Sequence, residues 1–306
     1  MMKKLKSTMR SPIMIVIGIV LCLYIVFLFT LIFWGFFTAV KATSGTFNTY
    51  RGNEFGMPEG APWQWEWGNY AYVMEWMNVK KNVTINGVRF QIEKTIGDMF
   101  GNTLLYTFGG AAVSTLVPLF VAYATTRTDF KFSKIFDAVI LVVMIIPIVG
   151  AYPSELQLLN ELGIYDTWFG YYIQRSHCIS AYYLIFQAQF RAVPKSYSEA
   201  AYIDGAGEYA VMFKVVLPLV RTVAMTVFLI FFISIWNDYN TALLYMPTHP
   251  SLAYGVFHLV MNGNNKISKV PYKMAGVFML FTPILIMFIC LQKVLMQNLS
   301  MGGLKE

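Results

Sequence analysis

The chain has 306 residues, of which 57% are hydrophobic and only 13% charged. Soluble domains carry about 25% charged residues, so a soluble helical core, which needs charged outer faces, is excluded in favour of an all-α polytopic membrane protein. The net charge of +7 raises nucleic acid as a partner, but its placement along the chain argues against it. Cys22, Cys178 and Cys290 are far apart, in or beside apolar runs. An odd count without metal-ligand spacing makes neither a disulfide framework nor a zinc site.

Six apolar runs of membrane-crossing length are read at 12–40, 101–125, 135–154, 168–190, 219–242 and 274–297. The first follows Lys3, Lys4, Lys6 and Arg10 and is too long for a signal-peptide core, so it is expected to remain as an anchor. The 41–98 loop is rich in Trp63, Trp65, Trp67, Tyr70, Tyr72 and Trp76. It reads as an interfacial aromatic belt with a short membrane-resting helix, or as a surface touching an external solute carrier. The fourth run holds Gln174, Arg175, Ser176 and His177. Charge at that depth faces a bundle interior or watery cavity, unless Arg175 snorkels to the headgroups.

Orientation follows from basic residues in short loops. With both termini and the 127–134 and 191–218 loops inside, the cytoplasmic segments carry 13 Lys/Arg against six Asp/Glu, and the outer ones ten of each. The whole excess then lies on one face. Lys80 and Lys81 sit outside in this topology, midway along a long loop where the rule loses force. The expected division is a cytoplasmic N-terminus at 1–11, an anchor at 12–40, an extracellular loop at 41–98, a five-helix core at 99–297 and a cytoplasmic tail at 298–306.

The 199–218 insert, EAAYIDGAGEYAVMFKVVLP, carries the most information. Pro194 closes the fourth run, and Ser196 with Glu199 forms an S-x-x-E capping box. A short helix follows, which Gly205 can end in the left-handed conformation. Val211, Met212, Val215, Val216 and Leu219 then share a face at helical spacing, and Pro218 marks re-entry to the membrane. Two short helices hinged at 204–205 form a knob, with Glu199, Asp204 and Glu208 on its exterior. From the residues alone, an ordinary connector is an equal reading.

Glu199, Ala200, Ala201, Asp204, Gly205, Ala206 and, at the twentieth position, Pro218 resemble the EAA loop of permease subunits in ATP-binding-cassette importers. Trp236, Asn237, Asp238 and Tyr239, together with the tail from Gln292 to Gly303, are similar to the smaller permease of maltose-type or multiple-sugar systems. The resemblance runs from about residue 97 to the end. Met212 and Thr222 depart from it, standing where Phe and a second Pro are usual. It implies a coupling helix seated on an ATPase subunit, with Glu199 in an ionic contact and Gly205 as hinge. It also implies a second permease subunit, two cytoplasmic ATPase subunits and an extracellular solute-binding protein. No G-x-x-x-x-G-K-[ST] sequence occurs, so ATP and Mg are expected on the partner subunits and no cofactor or catalytic residue on this chain. There is no H-E-x-x-H, and His177, His249 and His258 are too scattered for a metal site.

A solute route needs hydrogen-bonding groups and aromatic faces near mid-membrane. Arg175, His177, Trp236, Asn237 and Asp238 are the pathway candidates, with Asn102, Thr103, Gln187 and Gln189 as further polar groups. Asp238 is the most expensive of them to bury. The 245–271 loop resembles one that reaches into the binding protein in maltose-type systems, and reads equally as an outer connector. The expected function is the permease of an ATP-driven sugar or oligosaccharide importer working by alternating access. The alternatives are the same machine carrying a polyamine or phosphorylated polyol, a multi-pass membrane enzyme, or a regulatory scaffold.

Overall fold

The computed structural model describes residues 12–43, 56–85, 87–128, 130–146, 150–262 and 267–301. The basic residues at 3, 4, 6 and 10 and the tail beyond 301 lie outside the described residues. Two compact units are present, one within Met1–Met77 and Leu259–Phe281, the other within Asn78–His258 and Thr282–Glu306.

Helix α1 (Pro12–Ala39) is apolar on every face. Only its last turns are buried, at Gly35, Thr38 and Ala39. There the aromatic segment packs in a ladder: Phe37 meets Trp65 edge-on and Phe36 meets Trp67 and Phe278. Helix α2 (Gly68–Trp76) fixes this arrangement through Asn69, whose side-chain amide donates to the carbonyls of Ala39 (2.8 Å) and Lys41 (2.9 Å). The aromatics thus have a packing role at the end of α1. Trp63 stands 82% exposed and Trp67 46%.

The second unit opens on an antiparallel hairpin, β1 (Val79–Ile85) and β2 (Val88–Lys94), turning at left-handed Gly87 (φ 79°). This departs from an all-helical chain, although most of the described residues are helical. Alternation puts Val79 and Val83 in the core, and Lys80 pairs with Glu93 at 2.7 Å. Helix α3 (Ile96–Arg127) starts from a true capping box, Thr95 with Asp98. At 32 residues it is about 48 Å long.

Within α3, Leu105–Gly109 form a π turn. Such a turn loosens the i→i−4 ladder. Here the displaced carbonyls of Leu105 and Tyr106 accept from the hydroxyls of Tyr172 and Tyr171 (3.2 and 2.9 Å). A β-carbon on Gly110 would overlap the Tyr171 hydroxyl, which is why the approach needs glycine.

The third and fourth expected spans are each two helices. α4 (Ser133–Ile145) and α5 (Ala151–Glu161) replace the former, with Gly150 left-handed at φ 77° before α5. At 13 residues α4 is about 20 Å long, short of the ~30 Å hydrocarbon core. α6 (Trp168–Arg175) and α7 (Ala181–Ala192) replace the latter, with 176–180 non-helical between them. α8 (Lys195–Ile203), α9 (Glu208–Trp236), α10 (Asn240–Leu244), α11 (Leu252–Asn262) and α12 (Val270–Met301) follow. Among the described residues four helices are long and apolar enough to cross a membrane: α1, α3, α9 and the Val270–Cys290 part of α12.

The core of the second unit lies where α3, α7 and α9 meet, around Leu119, Tyr183, Phe186, Phe190, Val216 and Val227. Between lipid-embedded helices such packing stabilises by close contact rather than by exclusion of water. Polar staples add to it. Tyr183 and Gln187 donate to Asp137 of α4 (2.5 and 2.7 Å), and Arg191 pairs with it at 3.3 Å.

Candidate functional site

Two places in the second unit hold the residues singled out from the sequence. The first is the 195–216 segment. Pro194, extended at φ −58° and ψ 138°, delivers the chain into α8, which begins two residues earlier than a capping box would need. Ser196 and Glu199 therefore lie inside the helix, and no side-chain cap forms. The C-terminal signal reads true. Gly205 is left-handed at φ 83°, its N–H donates to the Tyr202 carbonyl (3.0 Å), and the Ala206 N–H reaches back to Ala201 (2.9 Å). This double bond pattern is the Schellman closure of a helix.

α9 begins at once and does not restart at Pro218. A π turn over Val211–Val216 carries the helix into the proline, whose missing N–H and ring clash would break a regular ladder. The inserted residue rotates the face, so Val216 and Val220 are buried while Leu219 is 52% exposed, against the regular spacing expected. Ala201 and Ala206 pack on the core, which explains small residues there. Glu199, Ala200, Asp204 and Glu208 are exposed. So are Ile203 (86%) and Tyr209 (80%), flanking the hinge. Both side chains stand out beside a rigid turn. Their position either side of the Gly205 hinge was the available sequence signal.

Arg127 braces the base of this knob. Its guanidinium donates to the carbonyls of Phe190 (2.7 Å) and Val193, tying the end of α3 to the last turn of α7. Cations are favoured at that helix end.

The second place surrounds the break after α6. Arg175 and Asp238, distant in sequence, meet at 2.9 Å, and each side chain is about a fifth exposed (23% and 22%). The Asp238 carboxylate also accepts the Thr241 hydroxyl (2.6 Å) and the N–H groups of Asn240 (2.9 Å) and Thr241 (3.2 Å). It is at once an ion-pair partner and the cap of α10. Arg175 donates to Thr241 as well (2.8 Å) and lies over the Tyr171 ring, 5.4 Å from its centre. Arg175 is thus held by an intrachain partner. Next to it, Tyr245 and Gln174 donate to Glu155 (2.6 and 3.3 Å).

The other candidates are placed apart from this pair's contacts. Trp236 is buried against Phe232 and Phe100. Asn237 is exposed and bonds back to Ile233 of its own helix (2.9 Å). His177 is exposed, its ring 3.4 Å from the Gln174 carbonyl. Asn102 donates to the Pro250 carbonyl (3.0 Å), and Thr103 accepts the Leu252 N–H (2.7 Å). These two clamp the 250–252 chain onto α3. Asp166 does the same at 248, accepting the Thr248 hydroxyl at 2.7 Å. The start of the 245–271 loop is therefore buried and anchored. Among the described residues no group of three His, Cys, Asp or Glu side chains is placed to hold a metal ion.

Residues 114–300 match the family described as binding-protein-dependent transport system inner membrane component. The chain is 30% identical to the maltodextrin transport system permease protein MalD of Streptococcus pneumoniae over 230 residues, 72% of this chain and 81% of that one. It is 26% identical over 213 residues to the melibiose/raffinose/stachyose import permease protein MelC of Bacillus subtilis, covering 69% and 77%. In fold it is similar to a chain of a bacterial ABC transporter involved in the import of the acidic polysaccharide alginate, with a TM-score of 0.71, 22% identity and coverage of 91% of this chain and 95% of that one.

Proposed function

The chain belongs to the inner membrane components of binding-protein-dependent transport systems, and we propose that it is the permease subunit of an ATP-driven importer for a sugar or oligosaccharide. The observation that carries the coupling role is the knob: a helix closed by left-handed Gly205, exposing Glu199, Ile203 and Tyr209, and rooted in the core through Ala201 and Ala206. Such a rigid projection transmits force where a flexible connector absorbs it.

In this reading the knob lies on the cytoplasmic face with both termini, and seats on one of two ATPase subunits, which bind ATP and Mg. Glu199, Ala200, Ala201, Asp204, Gly205, Ala206 and Pro218 form the coupling element. A second permease subunit completes the bundle, and an extracellular solute-binding protein delivers cargo. The names of MalD and MelC support carbohydrate as the solute class over a polyamine or phosphorylated polyol. In this reading Arg175 and Asp238 belong to the pathway wall, and Trp236, Asn237 and His177 remain further candidates for it.

The deciding experiment reconstitutes the chain with its partners in lipid and measures ATP hydrolysis with and without sugar-loaded binding protein. Stimulation by the loaded receptor is expected; hydrolysis indifferent to every loaded receptor would sink the importer reading.

A further inference from the structure

A polar cavity of ≈ 540 Å³ opens in the second unit between the end of α3, the start of α4 and α8. Its volume falls in the range of small-molecule sites, about 300–1,000 Å³. Arg127, Lys131 and Lys195 line it, with hydroxyls from Ser133 and Ser198. Glu199 is the one carboxylate among its described lining residues, so the cations are in excess. Lys131 and Lys195 are exposed and form no ion pair or hydrogen bond with any described residue. Arg127 is different. Its hydrogen bonds to Phe190 and Val193 go to neutral carbonyls, which fix the guanidinium in place and leave its charge uncompensated.

Three cations converging on one cavity, among hydroxyl donors, suit a ligand with several acceptor oxygens and negative charge. Guanidinium, ammonium and hydroxyl groups are the usual cradle of a phosphate. The cavity also sits at the end of an apolar 32-residue helix. Beside it Phe130, on its wall, is 43% exposed and Phe132 63%. Apolar rings next to a basic pocket at a helix end are what the boundary between acyl chains and headgroups requires.

We propose that this cavity binds a phosphate-bearing anion at the membrane boundary, supplied by the headgroup of an anionic lipid or by a free phosphate ester. Because Lys195 and Ser198 belong to α8, the bound anion bridges α8 to the ends of α3 and α4. The binding claim stands apart from the transport reading; only the cytoplasmic address of the site rests on it.

The test uses the purified full chain in detergent and the Lys131→Gln/Lys195→Gln double variant, which removes two unpartnered exposed cations and leaves Arg127 in its structural bonds. Native mass spectrometry is run with phosphatidylglycerol and with phosphatidylcholine, and equilibrium dialysis with radiolabelled inorganic phosphate. Two surface lysines strengthen attraction to anionic lipid by about 30-fold. The wild type should therefore retain phosphatidylglycerol about 30-fold more tightly than the variant, with no difference for phosphatidylcholine. Phosphate bound by the wild type and lost in the variant would assign a free ester as the source. Retention of both anions undiminished in a variant with unchanged elution and thermal midpoint, or binding of neither by the wild type, overturns the proposal. Neither assay involves ATP or transport, so its failure is separate from failure of the importer reading.

Discussion

Gly205 permits a test in which backbone geometry and side-chain size make opposite predictions. Its φ is +83°, and a β-carbon there would meet nothing within 4 Å. Crowding is absent, so a substitution acts through the backbone alone. Alanine bears the left-handed penalty of about 1–2 kcal/mol, which lowers the population of the closed turn by about 5–30-fold. Asparagine visits this region readily and, although larger, should preserve most of it. Proline is fixed near φ of about −65° and cannot donate to the Tyr202 carbonyl as Gly205 does at 3.0 Å. The turn then has no accessible closed form. Solute uptake in cells expressing the whole transport system, normalised to the amount of chain in the membrane, should rank wild type and Gly205→Asn above Gly205→Ala, with Gly205→Pro inactive. Normal uptake by the proline variant at normal abundance would falsify the hinge role. A ranking by side-chain size, with alanine above asparagine, would refute the backbone argument.

Glu199→Ala and Ile203→Asp should each reduce co-purification of the ATPase subunits, the second more strongly because it places a charge in an apolar contact; unchanged yields for both would remove the knob from that interface. Arg175→Ala should lower the thermal unfolding midpoint by the equivalent of about 2 kcal/mol, below the 3–5 expected for a fully buried pair because both side chains are partly solvated. Asp238→Asn, which keeps an acceptor for Thr241, should be milder than Asp238→Ala, and equal losses would show that the cap of α10 contributes nothing. Burial against the hairpin and the Tyr254 ring lowers the Lys81 ammonium from its usual 10.5 to about 8, with Asp166 partly opposing. Below pH 8 the lysine is charged whether folded or unfolded. From there to 10.5 the unfolded chain holds a proton that the folded one has released, so stability from this group rises with pH. Thermal midpoints of wild type minus Lys81→Met should therefore increase between pH 8 and 10, and parallel curves would refute the assignment.

The apolar runs that became α1, α3 and the membrane-length part of α12 were legible because length and composition suffice to define a crossing helix. The Gly205 closure was legible because only glycine takes that φ cheaply. The broken third and fourth spans were not, since a hydropathy window counts apolar atoms and ignores where backbone hydrogen bonds end. Gly150 and Pro153 in one, and Arg175 through His177 in the other, were the punctuation to read. The hairpin was also written in the chain: Val79 and Val83 alternate with Lys80 and Asn82 and run into Asn86 and Gly87, a strong turn signal. The tryptophans earlier in the same loop carry the competing signal of a membrane surface. The Arg175–Asp238 contact has no local signature. It depends on how α6 and α10 pack, and Thr241 enters only through that packing. The exposure of Leu219 was hidden for a related reason, because the π turn over Val211–Val216 shifts the buried face to Val220 and no regular helical period describes both sides of it.

The same π turn bears on how a knob at one end can act on a bundle. If α9 restarted at Pro218, the knob would join the core through a joint and its displacement would be lost there. Instead Glu208–Trp236 is one helix, and the knob's other limb, α8, leaves α7 through Val193 and Pro194 with α7 tied by Arg127 to α3. All three core helices are therefore connected to the knob by hydrogen-bonded backbone or by a charged brace. At the far end of α9 the chain passes directly into Asn237 and Asp238, where the pair with Arg175 forms. A displacement of the knob that tilts α9 about the Phe186, Phe190 and Val216 packing would then move Asp238 relative to α6. The pair of about a fifth solvent exposure is an interaction that water can replace when it opens, so breaking it costs less than breaking a dry one. A moderately wet ion pair at the end of a continuous lever is the arrangement that alternating access needs: firm enough to hold one state, and open enough to release.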